Sequence, residues 1–394
     1  MGRKERLALI EKLQTIRSNR LCVVYITSTR TNHEVAMADD VVSLLFDHLE
    51  AGRNKAKNGV DLFIHSNGGQ GTVPWRIVSL IREYTAKFAV LVPHRAFSAA
   101  TLTAMGADEI IMHRMGVLGP IDPSVANHFN PPHPQNPGQP LPISVEDVTA
   151  YFKLIQEEIG INHEDELIQA VIALTDKIHP LALGNVQRSH HQARMMARKL
   201  LKQHMVLDNQ ENEIDQIIDN LKSNLFYHGH PINRKEARVD LKLKVTDAPD
   251  DLADVMWKLY VEYEKALKMT EPFQPSHELD KLVPPSIPAA LTTQQIVQQM
   301  ALLAQAGIGI GLPGVTEQQI VALAAAMVPF VSGGQSPPTK VRLEKIAGAY
   351  VESVYDTDVF LTDLALERAT VNTPGGPQEA IKQEVIWQRW EKEK

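Results

Sequence analysis

Ser98 is the hydroxyl nearest the turn in the small-residue stretch RAFSAATLTAMG at 95–106, and its surroundings suit a nucleophile. A strand ending near residue 92 and a helix beginning at Ala99 place it where one element hands over to the other. Unpaired backbone N–H groups and the dipole at a helix start favour negative charge. A serine that must become alkoxide-like and then hold a tetrahedral oxyanion gains from both. Ala96, Ala99 and Ala100 leave room for a substrate backbone to approach. A helix-capping serine is the ordinary structural role of such a residue, so a second feature must support the chemical one. The stretch DLFIHSNGGQG at 61–71 supplies it: a strand runs into a turn holding Gly68, Gly69 and Gly71. Successive backbone N–H groups in such a turn form an anion-binding concavity.

The elements that must carry these groups follow from hydrophobic runs. Strands are expected at 21–26, 61–65, 88–92 and 110–112, and helices at 35–49, 73–84 and 99–105, the last ended by Gly106. Strand–helix–strand repeats of this length imply a parallel sheet and an α/β fold class. Turns at the carboxyl ends of neighbouring parallel strands open into one crevice, where open α/β sheets bind ligands. The glycine turn lacks the GxGxxG register of a dinucleotide site and the Gly-Lys-[Ser/Thr] of a phosphate loop.

IHSNGG, followed by AFSAATLTAMGADEI and then by LGPIDP at 118–123, resembles the Clp protease and crotonase superfamily. Within it the likeness is to the serine dehydrogenase proteinase family, relatives of signal peptide peptidase A. It runs from about residue 5 to 272 and returns weakly over 340–394. The usual Ser-Pro-Gly-Gly of the first loop is altered here, with Asn67 in place of the proline. The resemblance implies a parallel-sheet spiral, a Ser98 nucleophile and an oxyanion hole from the amides of Gly69 and Ala99. It leaves the general base open. Clp-type relatives place a histidine near what is here LGPIDP, where only Asp122 titrates, and His113 falls too early. By analogy with signal-peptide-peptidase relatives, Lys177 is the first choice and Lys153 the second. A lysine base must be buried to lose its proton. His228 or His230, near the position of the triad acid in Clp-type relatives, could serve instead and would need less tuning.

The 394 residues allow a full core plus further modules: a catalytic domain over 1–272 with a proline-rich loop at 126–142, a linker and apolar helical segment over 273–338, and a helical C-terminal extension over 339–394. In that extension Trp387 and Trp390 would share one helical face. Forty basic against 47 acidic side chains give a net charge of −7, with no electrostatic footprint for nucleic acid. The single cysteine, Cys22, lies in the apolar run LCVVYI and excludes an intramolecular disulfide or a cysteine zinc site. His128 and His133 lack an adjacent acidic or cysteine partner, so no metal and no cofactor is expected. The charged amphipathic N-terminus is not a signal peptide, and no run is long enough to span a membrane, so the chain is expected to be cytoplasmic. A serine peptidase acting on peptide or protein substrates is the leading expectation. A non-catalytic scaffold of the same fold and an acyl-coenzyme A enzyme of crotonase type are the alternatives. Superfamily membership and the apolar stretch 296–331 together imply a homo-oligomer.

Overall fold

Short, almost wholly apolar runs build the sheet that carries the site. The structure is a computed structural model and describes residues 2–121, 124–133, 136–206, 210–223, 230–282, 340–373 and 376–393. Strands Leu21–Thr27, Val60–His65, Phe88–Val92, Glu109–Met112 and Val245–Asp247 lie side by side in that order, each parallel to the next. Every residue of the first three is buried, the signature of a parallel sheet covered on both faces. Helices Val41–Ala51, Val73–Tyr84, Ala99–Met105 and Pro180–Leu201 pack successively on one another, and Arg3–Ile16 pairs with Asp250–Ala266. The α/β class expected from the sequence therefore holds. The helix expected over 35–49 starts only at Val41, because Met37 instead forms a parallel bridge with Gly69.

A small second sheet braces the serine turn. Arg95–Ala96 runs parallel to Val117–Leu118, which pairs antiparallel with Ile232–Asn233. The Thr101 hydroxyl lies 2.7 Å from the carbonyl of Ala96 and 2.9 Å from that of Gly119, and accepts from the Gly119 N–H at 3.1 Å. The start of the LGPIDP turn is thereby bolted to the helix that follows Ser98.

The C-terminal segment departs from expectation. Instead of a helical extension, Lys340–Glu352, Thr357–Thr373 and Gly376–Lys392 are strands, and they continue the main sheet past Leu21–Thr27. The junction is antiparallel, with Val24 opposite Glu352 and Tyr25 opposite Val351. An apolar strand left at the sheet edge is a template for further pairing. The run AGAYVE, buried from Gly348 to Glu352, fills that slot, so tertiary context overrides local helical periodicity. Three residues apart on a strand, Trp387 and Trp390 cannot share a face. The chain divides into two units: 1–272 with 347–361 and 389–394, and 273–346 with 362–388. In the second unit the described residues form the helix Pro275–Leu282 and lengths of the three terminal strands. The apolar stretch 296–331 lies outside the described residues. Among those described, no helix is long and apolar enough to cross a membrane.

Within the first unit, buried charge ties the two chain ends together. Arg6, 3% exposed, donates to Glu352 at 2.7 Å and also pairs with Glu393. Glu352 accepts further from Thr357 at 2.7 Å and from the Tyr263 hydroxyl. Charges at this depth persist only when paired and fully hydrogen-bonded.

Candidate functional site

The glycine loop and the serine turn meet because the strand Val60–His65 continues into pairing with the segment before Ser98. Ser66 N donates to the carbonyl of Arg95 at 3.0 Å, and Phe97 N donates to that of Ser66 at 3.0 Å. Ser66 Oγ accepts from Thr27 Oγ1 at 2.8 Å and from the Gly68 N–H at 3.0 Å, which shapes the loop's first bend. Gly68 has φ of +99°, and a Cβ there would meet Ser98 Cβ at 2.8 Å and Ala99 N at 3.0 Å. A Cβ on Gly69 would stand 2.2 Å from the carbonyl oxygen of Met37. Both glycines are therefore dictated by close backbone approach, one on each side of the crevice wall.

Ser98 itself is held at φ 52° and ψ −113°, outside the regions a side-chain-bearing residue prefers. Such a conformation costs on the order of 1–3 kcal/mol and persists only where the surroundings over-determine it. Here the Ser66–Phe97 bond, the Thr101 anchor and the buried helix Ala99–Met105 do so. The effect is to lift the side chain off the strand-to-helix turn, the steric solution of a nucleophile elbow. Among the described residues no acceptor pairs with the N–H of Gly69 or Ala99, and no partner bonds Ser98 Oγ. Ala99 is the first residue of its helix, where a backbone N–H has no intrahelical acceptor. All three groups line one cleft of about 610 Å³.

The cleft has walls that sequence reasoning did not name. Glu34, Val35 and Ala36 come from the segment before Met37, and Ser189, Gln192 and Ala193 from one face of the helix Pro180–Leu201. Their i, i+3, i+4 spacing was present in the sequence, but the partner of that face was not. Asn67 links two neighbours: its Oδ1 accepts from Arg95 Nη1 at 3.1 Å, and its Nδ2 donates to Glu34 Oε1 at 3.5 Å. His65, fully buried at the foot of the glycine loop, accepts from the Arg95 N–H at Nδ1 over 3.3 Å, with Thr29 Oγ1 3.3 Å from Nε2. Burial, and then the charges of His94 and Arg95, hold its pKa well below the usual imidazole value. It is a neutral strut with its proton on Nε2.

Of the expected bases, none of the described ones reaches the cleft lining. Lys177 follows the helix Glu164–Thr175 and is exposed, as is Lys153 at the end of Val145–Lys153. His230 bonds Glu236 at 2.7 Å. His113 stacks on Trp257 with ring centroids 5.1 Å apart. His228 and Asp122 lie outside the described residues. Nor do the described residues contain a cluster of three side chains able to hold a metal ion.

Residues 47–171 match the family model for ClpP-like SDH-type serine proteinase, which upholds the family resemblance. That span holds the glycine loop, Ser98 and the LGPIDP turn. Two uncharacterized proteins of Methanocaldococcus jannaschii are similar over a shorter stretch. MJ1495 is 41% identical over 69 residues, covering 18% of this chain and 24% of its own. MJ0137 is 40% identical over 72 residues, covering 18% of this chain and 25% of its own. The matched stretch thus spans about a quarter of the length of these relatives.

Proposed function

We propose that this protein is a serine peptidase that cleaves peptide bonds through an acyl-enzyme on Ser98. The observation that carries this reading is the strained Ser98 backbone set against the Gly68–Gly69 loop, with two unpaired amides facing the same cleft. Ser98 Oγ adds to the scissile carbonyl carbon while its proton passes to a base. The N–H groups of Gly69 and Ala99 receive the oxyanion, the form of stabilisation that usually contributes most in acyl transfer. The C–N bond then breaks, the amine leaves with the proton, and water hydrolyses the ester by the reverse proton path. His228 is the base to test first. Lys177, the first choice by family analogy, stands exposed, and a lysine base needs burial to lose its proton. The working protein is a homo-oligomer of this chain.

A fluorophosphonate probe tests the assignment. The wild-type protein should be labelled and S98A should not, with the two melting at similar temperatures. A wild-type protein that resists labelling would instead support a non-catalytic scaffold of this fold.

A further inference from the structure

The cleft is nearly uncharged, and its one exception has a defined place. Among the described lining residues only Glu34 carries a formal charge; the rest are apolar, glycine, or neutral polar groups such as Ser189 and Gln192. Glu34, though exposed, has one neighbour on the loop. Asn67 holds Arg95 with its carbonyl and so must turn its amide nitrogen toward the Glu34 carboxylate. Asn67 sits immediately before Gly68, where an added Cβ would run into Ser98 and Ala99. The carboxylate is thereby linked, through one long hydrogen bond from Asn67, to the loop that would receive the oxyanion. This also gives Asn67, the one departure in the loop from the Ser-Pro-Gly-Gly pattern, a role that a proline could not fill, because proline has no side-chain donor.

We propose that Glu34, positioned by Asn67, is a specificity-determining residue that selects peptides with a lysine or arginine beside the scissile bond. The inference rests on the peptidase reading above. A cationic side chain entering the cleft meets one carboxylate and, among the described lining residues, no cation. An acidic side chain meets that same carboxylate and gains nothing in return. Because Glu34 is exposed, the discrimination is that of a partly solvated ion pair, which shrinks as salt screens it.

The test uses three peptidyl diphenyl phosphonates on the full-length protein. They carry a lysine, a norleucine or a glutamate side chain at the residue bearing the phosphorus, and a second set moves that residue one place along the peptide. The rate of Ser98 modification is read by intact mass. Wild type should react about fivefold faster with the lysine probe than with the norleucine probe in at least one set, the size expected of one such pair. In E34Q that ratio should fall to near one, and in E34K the glutamate probe should become the fastest. Asn67→Ala should lower the ratio in the same direction by a smaller factor. Equal rates for all wild-type probes, or a ratio unchanged in E34Q, would overturn the inference while leaving the peptidase reading intact. Loss of reaction with every probe in folded E34Q would overturn it too, since Glu34 would then act on the chemistry. No Ser98 adduct from any probe in the wild type would remove the peptidase reading, and this inference with it.

Discussion

At the scale of single residues, the environment decides which of two serines is a candidate nucleophile. Ser353 has the partners of a catalytic triad: His48 Nδ1 lies 2.8 Å from its Oγ, and His48 Nε2 lies 3.1 Å from Asp358 Oδ2. Yet Ser353 is fully buried, and its Oγ also accepts from the Tyr355 N–H at 3.2 Å. Lys392 bonds the same Asp358 oxygen at 2.9 Å. No substrate carbonyl can reach that hydroxyl, so the trio fastens a chain turn to the helix Val41–Ala51. Ser98 has the opposite character, an Oγ at a cleft with no partner among the described residues. Single histidines also set the response to acid. His65, His94, His113, His33 and His204 all have pKa values below the usual 6.5, in each case first because burial disfavours the imidazolium. The unfolded chain binds these protons more readily than the folded one. Their contribution to stability is complete above about pH 6.5 and is lost as pH falls through the depressed folded values. Asp61 acts in the opposite sense, since burial raises its pKa against the pull of Arg17 and Arg20. Urea midpoints between pH 7.5 and 5 should therefore fall steadily. A flat profile would mean the rings stay accessible to water.

At the scale of elements, the prediction concerns how the terminal strands are held. Glu352 ends the strand that pairs with Leu21–Thr27, and it is the partner of buried Arg6 on the first helix. Replacing it by alanine leaves that guanidinium without its main acceptor, and breaking a buried pair from one side costs about 3–5 kcal/mol. E352A should lower the unfolding free energy by that amount, read as a midpoint shifted down by that energy divided by m, with the m-value showing whether the terminal strands detach separately. That same junction explains what was legible in the sequence. The parallel strands were readable because each is a short apolar run bounded by turn residues. That Gly69, Ser98 and Ala99 would line one cleft was readable because they sit on strand-to-helix turns whose local spacing is fixed by the fold. The terminal strands were not, because AGAYVE and the Trp387–Trp390 spacing are compatible with either helix or strand until the partner Leu21–Thr27 is known. Glu34, Ser189 and Gln192 were missed for a related reason. They reach the cleft only through packing of segments remote in sequence, which no local period records.

At the scale of the whole molecule, the surface of the first unit argues for self-association. The helix Glu164–Thr175 has no buried residue, although Ile168, Val171 and Ile172 share one of its faces and are 53%, 42% and 47% exposed. Leu154 and Ile159, just before it, are 51% and 60% exposed. A helix of this length is marginal in water without a packed face, so the pattern makes sense if another surface covers it. A second copy of the chain is the economical cover, since closed symmetry buries the same patch on each subunit. Light scattering at micromolar concentration should give a multiple of 43.8 kDa. Placing a charge at the centre of the face, Val171→Asp, should shift the mass toward the monomer, because an unpaired carboxylate resists burial in an apolar contact. If Ser98 labelling also falls in that monomer, assembly completes the active site; if labelling persists, the contact serves only to hold subunits together. A wild-type mass of one subunit would show that the helix stands without a partner copy.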